Sequence, residues 1–165
     1  MMILDPRPMK LVPTISVLTL LLGFPQLQAA PKAPRSLEVK VCARARVVET
    51  GLCVRAGETL RFSTPAGAKW WDIWFKRAAD GSGKGSFYPW YMNRVRCRLA
   101  VPKSPAFALH GRVGSGKAFL IGLGGDFAMV DAGPLVLFTN DVPGFYWQNF
   151  GAIAVTIAKV KTKKK

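Results

Sequence analysis

Acidic residues are scarce in this chain: 9 Asp and Glu stand against 24 Lys and Arg in 165 residues, with one histidine and three cysteines. That scarcity narrows the chemistry. A zinc enzyme needs several His, Cys or carboxylate ligands converging on one point, and a Ser-His-Asp site needs a base aligned with both partners. Around His110 the sequence offers no second member of either set. The carboxylates outside residues 140–151 show no spacing that marks a glycosidase pair. We therefore expect a protein that is not an enzyme. Long apolar runs are missing too: Leu11 to Phe24 spans 14 residues, against the roughly 20 a membrane-crossing helix needs. No transmembrane anchor is expected.

The first 29 residues read as a cleaved secretory signal peptide. Lys10 precedes the apolar run, and Pro25, a short polar stretch and the small pair Ala29 and Ala30 come after it. Met9 makes a better start than Met1, because Asp5, Pro6 and Pro8 fit poorly in a positively charged leader. Cleavage after Ala29 or Ala30 leaves no cysteine at the new terminus. Removal of residues 1–29 leaves 22 basic and 8 acidic residues, so the mature net charge is +14. Such a field favours anionic partners, namely envelope polysaccharide or lipid headgroups, and export makes nucleic acid the least expected of them. The expected location is periplasmic or secreted.

Strand signals dominate the chain beyond the leader. After a linker over 30–36, apolar residues alternate at Leu37-Val39-Val41, Leu60-Phe62, Val95-Cys97-Leu99 and Ile153-Val155-Ile157. Turn signals lie between them at Arg55–Glu58, Asp80–Gly83, Gly124–Asp126 and Asp131–Pro134. No long amphipathic helix is evident. The pattern predicts an all-β fold, an antiparallel β-sandwich of jelly-roll type over 37–159, as a single domain with a basic tail at 160–165. The alternation puts Cys42 and Cys53 on outward faces and Cys97 inward. It predicts a Cys42–Cys53 disulfide and a buried Cys97 thiol. It also places Arg94, Arg96 and Arg98 along one face of a strand as a basic stripe.

Two motifs point in different directions. Gly111 to Lys117 resembles a phosphate-binding P-loop, but Ala118 occupies the place of the magnesium-binding Ser or Thr, and strands surround it where a helix is required. A glycine-rich turn is expected there. Aromatic residues cluster at Trp70, Trp71 and Trp74, at Phe87, Tyr88, Trp90 and Tyr91, and at Phe145, Tyr146 and Trp147. The segment Trp70–Phe75 reads as core. Trp147 lies in a polar loop and reads as a platform on which a sugar ring stacks.

That loop is the most specific segment of the chain. Asn140-Asp141-Val142-Pro143-Gly144-Phe145-Tyr146-Trp147-Gln148-Asn149-Phe150-Gly151 leads into a strand over Ala152–Ile157. It resembles the ligand loop of the calcium-dependent, galactose-binding bacterial lectins of the PA-I type, and the likeness extends upstream through Ala108–Gly114 and Phe119–Gly122. The resemblance implies a jelly-roll sandwich in which the loop holds calcium and sugar hydroxyls complete its shell. Carried over by position, the metal ligands would be Asp141, the Phe145 carbonyl, Gln148 and Asn149. Asp141, Val142, Trp147, Gln148 and Asn149 would meet the ligand. Gln148 stands where the family has an asparagine, and Trp147 and Phe150 replace small or polar residues. The family's histidine-containing sugar loop has no counterpart, so galactose specificity is not implied. The resulting expectation is an exported carbohydrate-binding protein, assisted by calcium at residues 140–151. The alternative is a non-catalytic basic envelope protein that holds anionic polysaccharide or lipid headgroups by charge.

Overall fold

A computed structural model describes residues 36–73, 75–83 and 87–160, without the side chains of residues 87–89 and 91. The leader, most of the linker, Trp74 and the lysines from 161 onward lie outside the described residues.

Among the described residues there are eleven strands: β1 Ser36–Cys42, β2 Val48–Val54, β3 Thr59–Ser63, β4 Lys69–Asp72, β5 Phe75–Ala78, β6 Leu109–Val113, β7 Phe119–Leu120, β8 Gly124–Ala128, β9 Gly133–Thr139, β10 Asn149–Phe150 and β11 Ala152–Val160. They build antiparallel sheets in the orders β1-β11-β3-β8, β2-β9-β6-β7 and β10-β4-β5. The chain passes repeatedly between the two four-stranded sheets, as in a jelly roll. Inward residues of both sheets meet in one core: Val39, Val41, Leu60, Phe62, Ile153, Val155 and Ile157 from the first, and Val54, Leu109, Val113, Leu135 and Leu137 from the second. The all-β sandwich expected from period-two alternation is therefore the architecture observed.

Several local expectations are corrected. Residues 95–99 are not a strand: Phe87–Val95 forms a helix, α1, and Arg96–Arg98 a 3₁₀ turn. Met92, Val95 and Leu99 follow a helical spacing as well as Val95, Cys97 and Leu99 follow a strand spacing, and the first set packs with Val142 and Phe75 in a second apolar cluster. Tertiary packing decides between the two patterns. As a result Arg94, Arg96 and Arg98 do not form a strand stripe, and Cys97 is exposed. Cys42 and Cys53 are both free and exposed. They face away from the core on strands of opposite sheets, so no bridge joins them. Gly124 and Gly125 lie in β8 and not in a turn. A Cβ at Gly124 would collide with the Phe62 carbonyl, so glycine there permits close pairing with β3.

The Gly111–Lys117 segment closes as a turn between β6 and β7, with the Gly116 amide donating to the Val113 carbonyl at 2.9 Å. The next element is the strand β7. Trp70 is fully buried, and its indole donates to the Phe107 carbonyl at 3.0 Å. Trp71, its neighbour, points outward, which corrects the reading of that whole segment as core.

Candidate functional site

Residues 140–151 leave β9, turn twice and return as β10. Val142-Pro143-Gly144-Phe145 closes with a 3.0 Å bond from the Phe145 amide to the Val142 carbonyl. Pro143 suits the second position of such a turn, and Gly144 supplies the third with φ of +104°. Tyr146–Gln148 forms a 3₁₀ turn. Tyr146 is buried, and its hydroxyl donates to the Thr139 carbonyl at 2.8 Å, pinning the loop to the end of β9. Burial pushes that phenol up to about 12.

The Asn-Asp pair at the start of the loop works in two directions. Asn140 is fully buried and binds the neighbouring 101–105 segment: its side-chain oxygen accepts from the Val101 amide at 2.8 Å, and its amide nitrogen donates to the Val101 and Pro105 carbonyls, each at 3.1 Å. It is a fastener. Asp141 turns toward the loop interior, where Oδ1 accepts from the Val142 amide at 2.6 Å and Oδ2 accepts from Asn149 Nδ2 at 2.8 Å. Asn149 Nδ2 also donates to the Ala43 carbonyl at 3.2 Å.

Two features of this pair are costly in a protein interior. Asp141 is 4% exposed and forms no ion pair among the described residues. Burial raises the proton affinity of its carboxyl, against the two hydrogen bonds, which lower it. Asn149 is fully buried, and its Oδ1 has no hydrogen-bond partner among the described residues. A buried polar atom left in that state costs about 1–3 kcal/mol.

Asp141, Val142, Phe145 and Gln148 line one cavity of about 250 Å³ together with Asp72, Ile73, Met92, Val95 and Arg98. Asn149 adjoins it through its bond to Asp141. Val142 is mostly buried, in the cluster with Met92 and Leu99. Trp147 is set apart: it is two-thirds exposed and lines a different, open cleft with Arg44, Arg46, Gly144 and Tyr146. Asp72 is a member of the site that the sequence patterns do not single out. It is buried on β4, directly opposite Asn149 on β10. A signal for it exists, because Trp70 faces the core and residues two apart on a strand share a face. Ile73, beside it, holds φ of +53°, a strained value for a β-branched residue.

Asp141, Phe145 and Gln148 line this cavity, and Asn149 meets it through Nδ2, which faces the Asp141 carboxylate, while its Oδ1 is unpaired. The Phe145 carbonyl accepts from the Gln148 amide at 3.2 Å. Among the described residues no three His, Cys, Asp or Glu side chains converge.

His110 lies elsewhere, buried on β6. Its Nδ1 faces the Ala108 carbonyl at 3.0 Å, which can only accept, so Nδ1 carries the proton. Nε2 then accepts from the Ser104 hydroxyl at 2.6 Å. Ser104 is thus a partner that no spacing in the sequence reveals. The third position is a backbone carbonyl where a triad has an acid, and the ring stacks on Phe138. Burial holds the imidazole below its usual proton affinity.

No family model matches this chain, and no curated protein matches it in sequence. Among solved structures it is similar to one described as the EclA N-terminal domain, a PllA-like lectin, with a TM-score of 0.56 and 19% identity over 75% of this chain and 96% of that one. At that identity the likeness concerns the fold alone: this chain has the all-β, sandwich-type fold of a bacterial lectin domain.

Proposed function

We propose that this protein is an exported, non-catalytic, lectin-like carbohydrate-binding protein whose site is the cavity at Asp141 and Asn149. The observation that carries the reading is the unpaired Oδ1 of buried Asn149, whose Nδ2 bonds a buried Asp141 carboxylate that has no ion-pair partner among the described residues. Burying both groups destabilises the fold, and a cation held by the Asp141 carboxylate, with the Asn149 side chain turned to present Oδ1, would offset both costs. Calcium is the cation the oxygen donors favour, with Asp141, Asn149, Gln148 and the Phe145 carbonyl as its holders. Once bound, calcium supplies open coordination positions to vicinal sugar hydroxyls. At about 250 Å³ the cavity is smaller than the roughly 300–1,000 Å³ of sites that engulf a drug-sized ligand. It suits an ion and the edge of one sugar ring. Asp141 and Val142 would contact that edge, and Trp147 lies outside the cavity as a neighbouring stacking surface.

Glycan-array screening and calorimetry with and without calcium test the reading. Sugar binding that chelator removes and Asp141→Ala abolishes is the expected result. Absence of sugar binding, or binding indifferent to Asp141→Ala, overturns it.

A further inference from the structure

The three-stranded sheet β10-β4-β5 carries a second surface, on the face opposite Asp72 and Asn149. Phe150 pairs directly with Trp71, and Trp71 pairs directly with Lys76. Directly opposed residues of antiparallel strands project to the same side, so these three form a row across the sheet. The rings face water: Phe150 is 50% exposed and Trp71 39%. A cation lies over each. The Arg44 guanidinium is 4.9 Å from the Phe150 centroid, and the Lys76 ammonium is 4.4 Å from the Trp71 centroid. Arg44 is held there by a 3.0 Å bond from its Nε to the Trp147 carbonyl. The order along the row is cation, ring, ring, cation. Neither cation meets a carboxylate among the described residues. Past Arg44, the surface continues into an open cleft of about 490 Å³ lined by Arg46 and Trp147.

The geometry points to this row as a binding surface for an acidic polysaccharide, a chain of sugars bearing carboxylate or sulfate groups. The solvent-exposed parts of the two rings, fixed on adjacent strands, offer apolar contact beside their cations at little entropic cost. The flanking cations would supply charge-assisted hydrogen bonds to acid groups, and the net charge of +14 on the chain without its leader would draw a polyanion toward them. A membrane surface fits less well. The rings lie beneath their cations, and Arg44 is tied back to the Trp147 carbonyl, so sinking the rings among acyl chains would desolvate the cations as well. The surface stands independently of the Asp141 cavity, since no residue of the row belongs to that cavity.

The test uses the full exported chain with alginate, dextran sulfate, neutral dextran and anionic phospholipid vesicles as probes, at several salt concentrations with and without chelator. Arg44→Gln with Lys76→Gln should weaken binding to alginate or dextran sulfate about tenfold or more, and lower the slope of log affinity against log salt by about 1–2. Trp71→Ala with Phe150→Ala should weaken it by a similar factor, and the arginine-lysine pair keeps the test decisive if the ring variant fails to fold. The control Lys40→Gln with Lys117→Gln removes equal charge elsewhere and should change affinity less than about threefold. Chelator should have no effect. Equal losses in row and control variants, no polyanion binding, or binding to the vesicles alone would each overturn the proposal. Loss of sugar binding at the calcium cavity, with polyanion binding intact, would leave it standing.

Discussion

The two faces of the β4–β10 pair differ in every property that matters for binding, although their residues are neighbours in the chain. Inward lie Asp72 and Asn149, buried and polar, with Asn149 bonded to the Asp141 carboxylate. Outward lie Trp71 and Phe150, exposed, apolar and covered by cations. A one-residue step along each strand separates an acidic oxygen cage from a basic aromatic shelf. The strand period of two makes that possible. On the proposed function, the inner face would select a cation because its groups are desolvated and fixed. The outer face would hold the proposed extended anion because its groups are solvated and arrayed in a row.

The largest expected effect that separates the faces is that of Asp141→Ala. It leaves the Val142 amide and Asn149 Nδ2 short of an acceptor, a loss of about 1–3 kcal/mol measurable by urea unfolding. It should also abolish the proposed calcium-dependent sugar binding. Polyanion binding at the outer face should persist within about twofold, because Asp141 contributes nothing to that face. If both activities fall together in a folded variant, the two faces are one site.

Acid and salt should divide the faces next. The carboxyl of Asp141 is raised above its ordinary value near 3.8 in the folded chain. The folded protein therefore binds this proton more readily than the unfolded one. Without calcium, its burial penalty is present above the folded value and shrinks as pH falls through it toward 3.8. Calcium binding needs the carboxylate, so the calcium-dependent thermal shift should decline over the same window. Outer-face binding should hold through that window and instead fall steeply with salt. Calorimetric titrations across pH, then across salt, measure both.

What is legible in the sequence depends on which forces are local. The alternation at Leu37–Val41, Leu60–Phe62 and Ile153–Ile157 marks strands because each has one face in the shared core. The loop 140–151 is legible because its turn chemistry is local, with Pro143 and Gly144 fixing the backbone. The helix α1 is not, because residues 92–99 satisfy two periods and only contact with Val142 chooses between them. Asp72 is hidden among tryptophans, where its neighbours suggest core. Arg44 reaches Phe150 from a distant part of the sequence, a contact that no local pattern encodes.

A smaller effect is expected at His110, which shows what a satisfied buried polar group does in contrast to Asn149. Both of its ring nitrogens are paired, and the ring is neutral in the fold. Its proton affinity is depressed from the ordinary value near 6.5, so the unfolded chain binds the proton first. The stability it contributes is complete above 6.5 and is lost as pH falls from there through the lower folded value. Urea midpoints should decline with acid in that window. In His110→Gln the decline should flatten, at a cost of about 1–2 kcal/mol at neutral pH from lost packing.

The smallest expected effect belongs to the outer surfaces of the two large sheets. Cys42 and Cys53 face solvent from opposite sheets, and Cys97 is exposed in the 3₁₀ turn after α1. No disulfide constrains the unfolded chain, so a reductant should move the melting temperature by less than about 1 °C, where loss of a native bridge costs about 2–5 kcal/mol. All three thiols should react with a thiol reagent before unfolding. The outcome bears on both faces of β4–β10, because neither then depends on a covalent clamp: the segments that carry Ala43 and Arg44 are held to the loop by the Asn149–Ala43 and Arg44–Trp147 hydrogen bonds. A melting temperature that drops several degrees in reductant would reveal a bridge, and peptide mapping that found Cys42 in it, one residue before Ala43, would make the precision of both faces a property of that bridge.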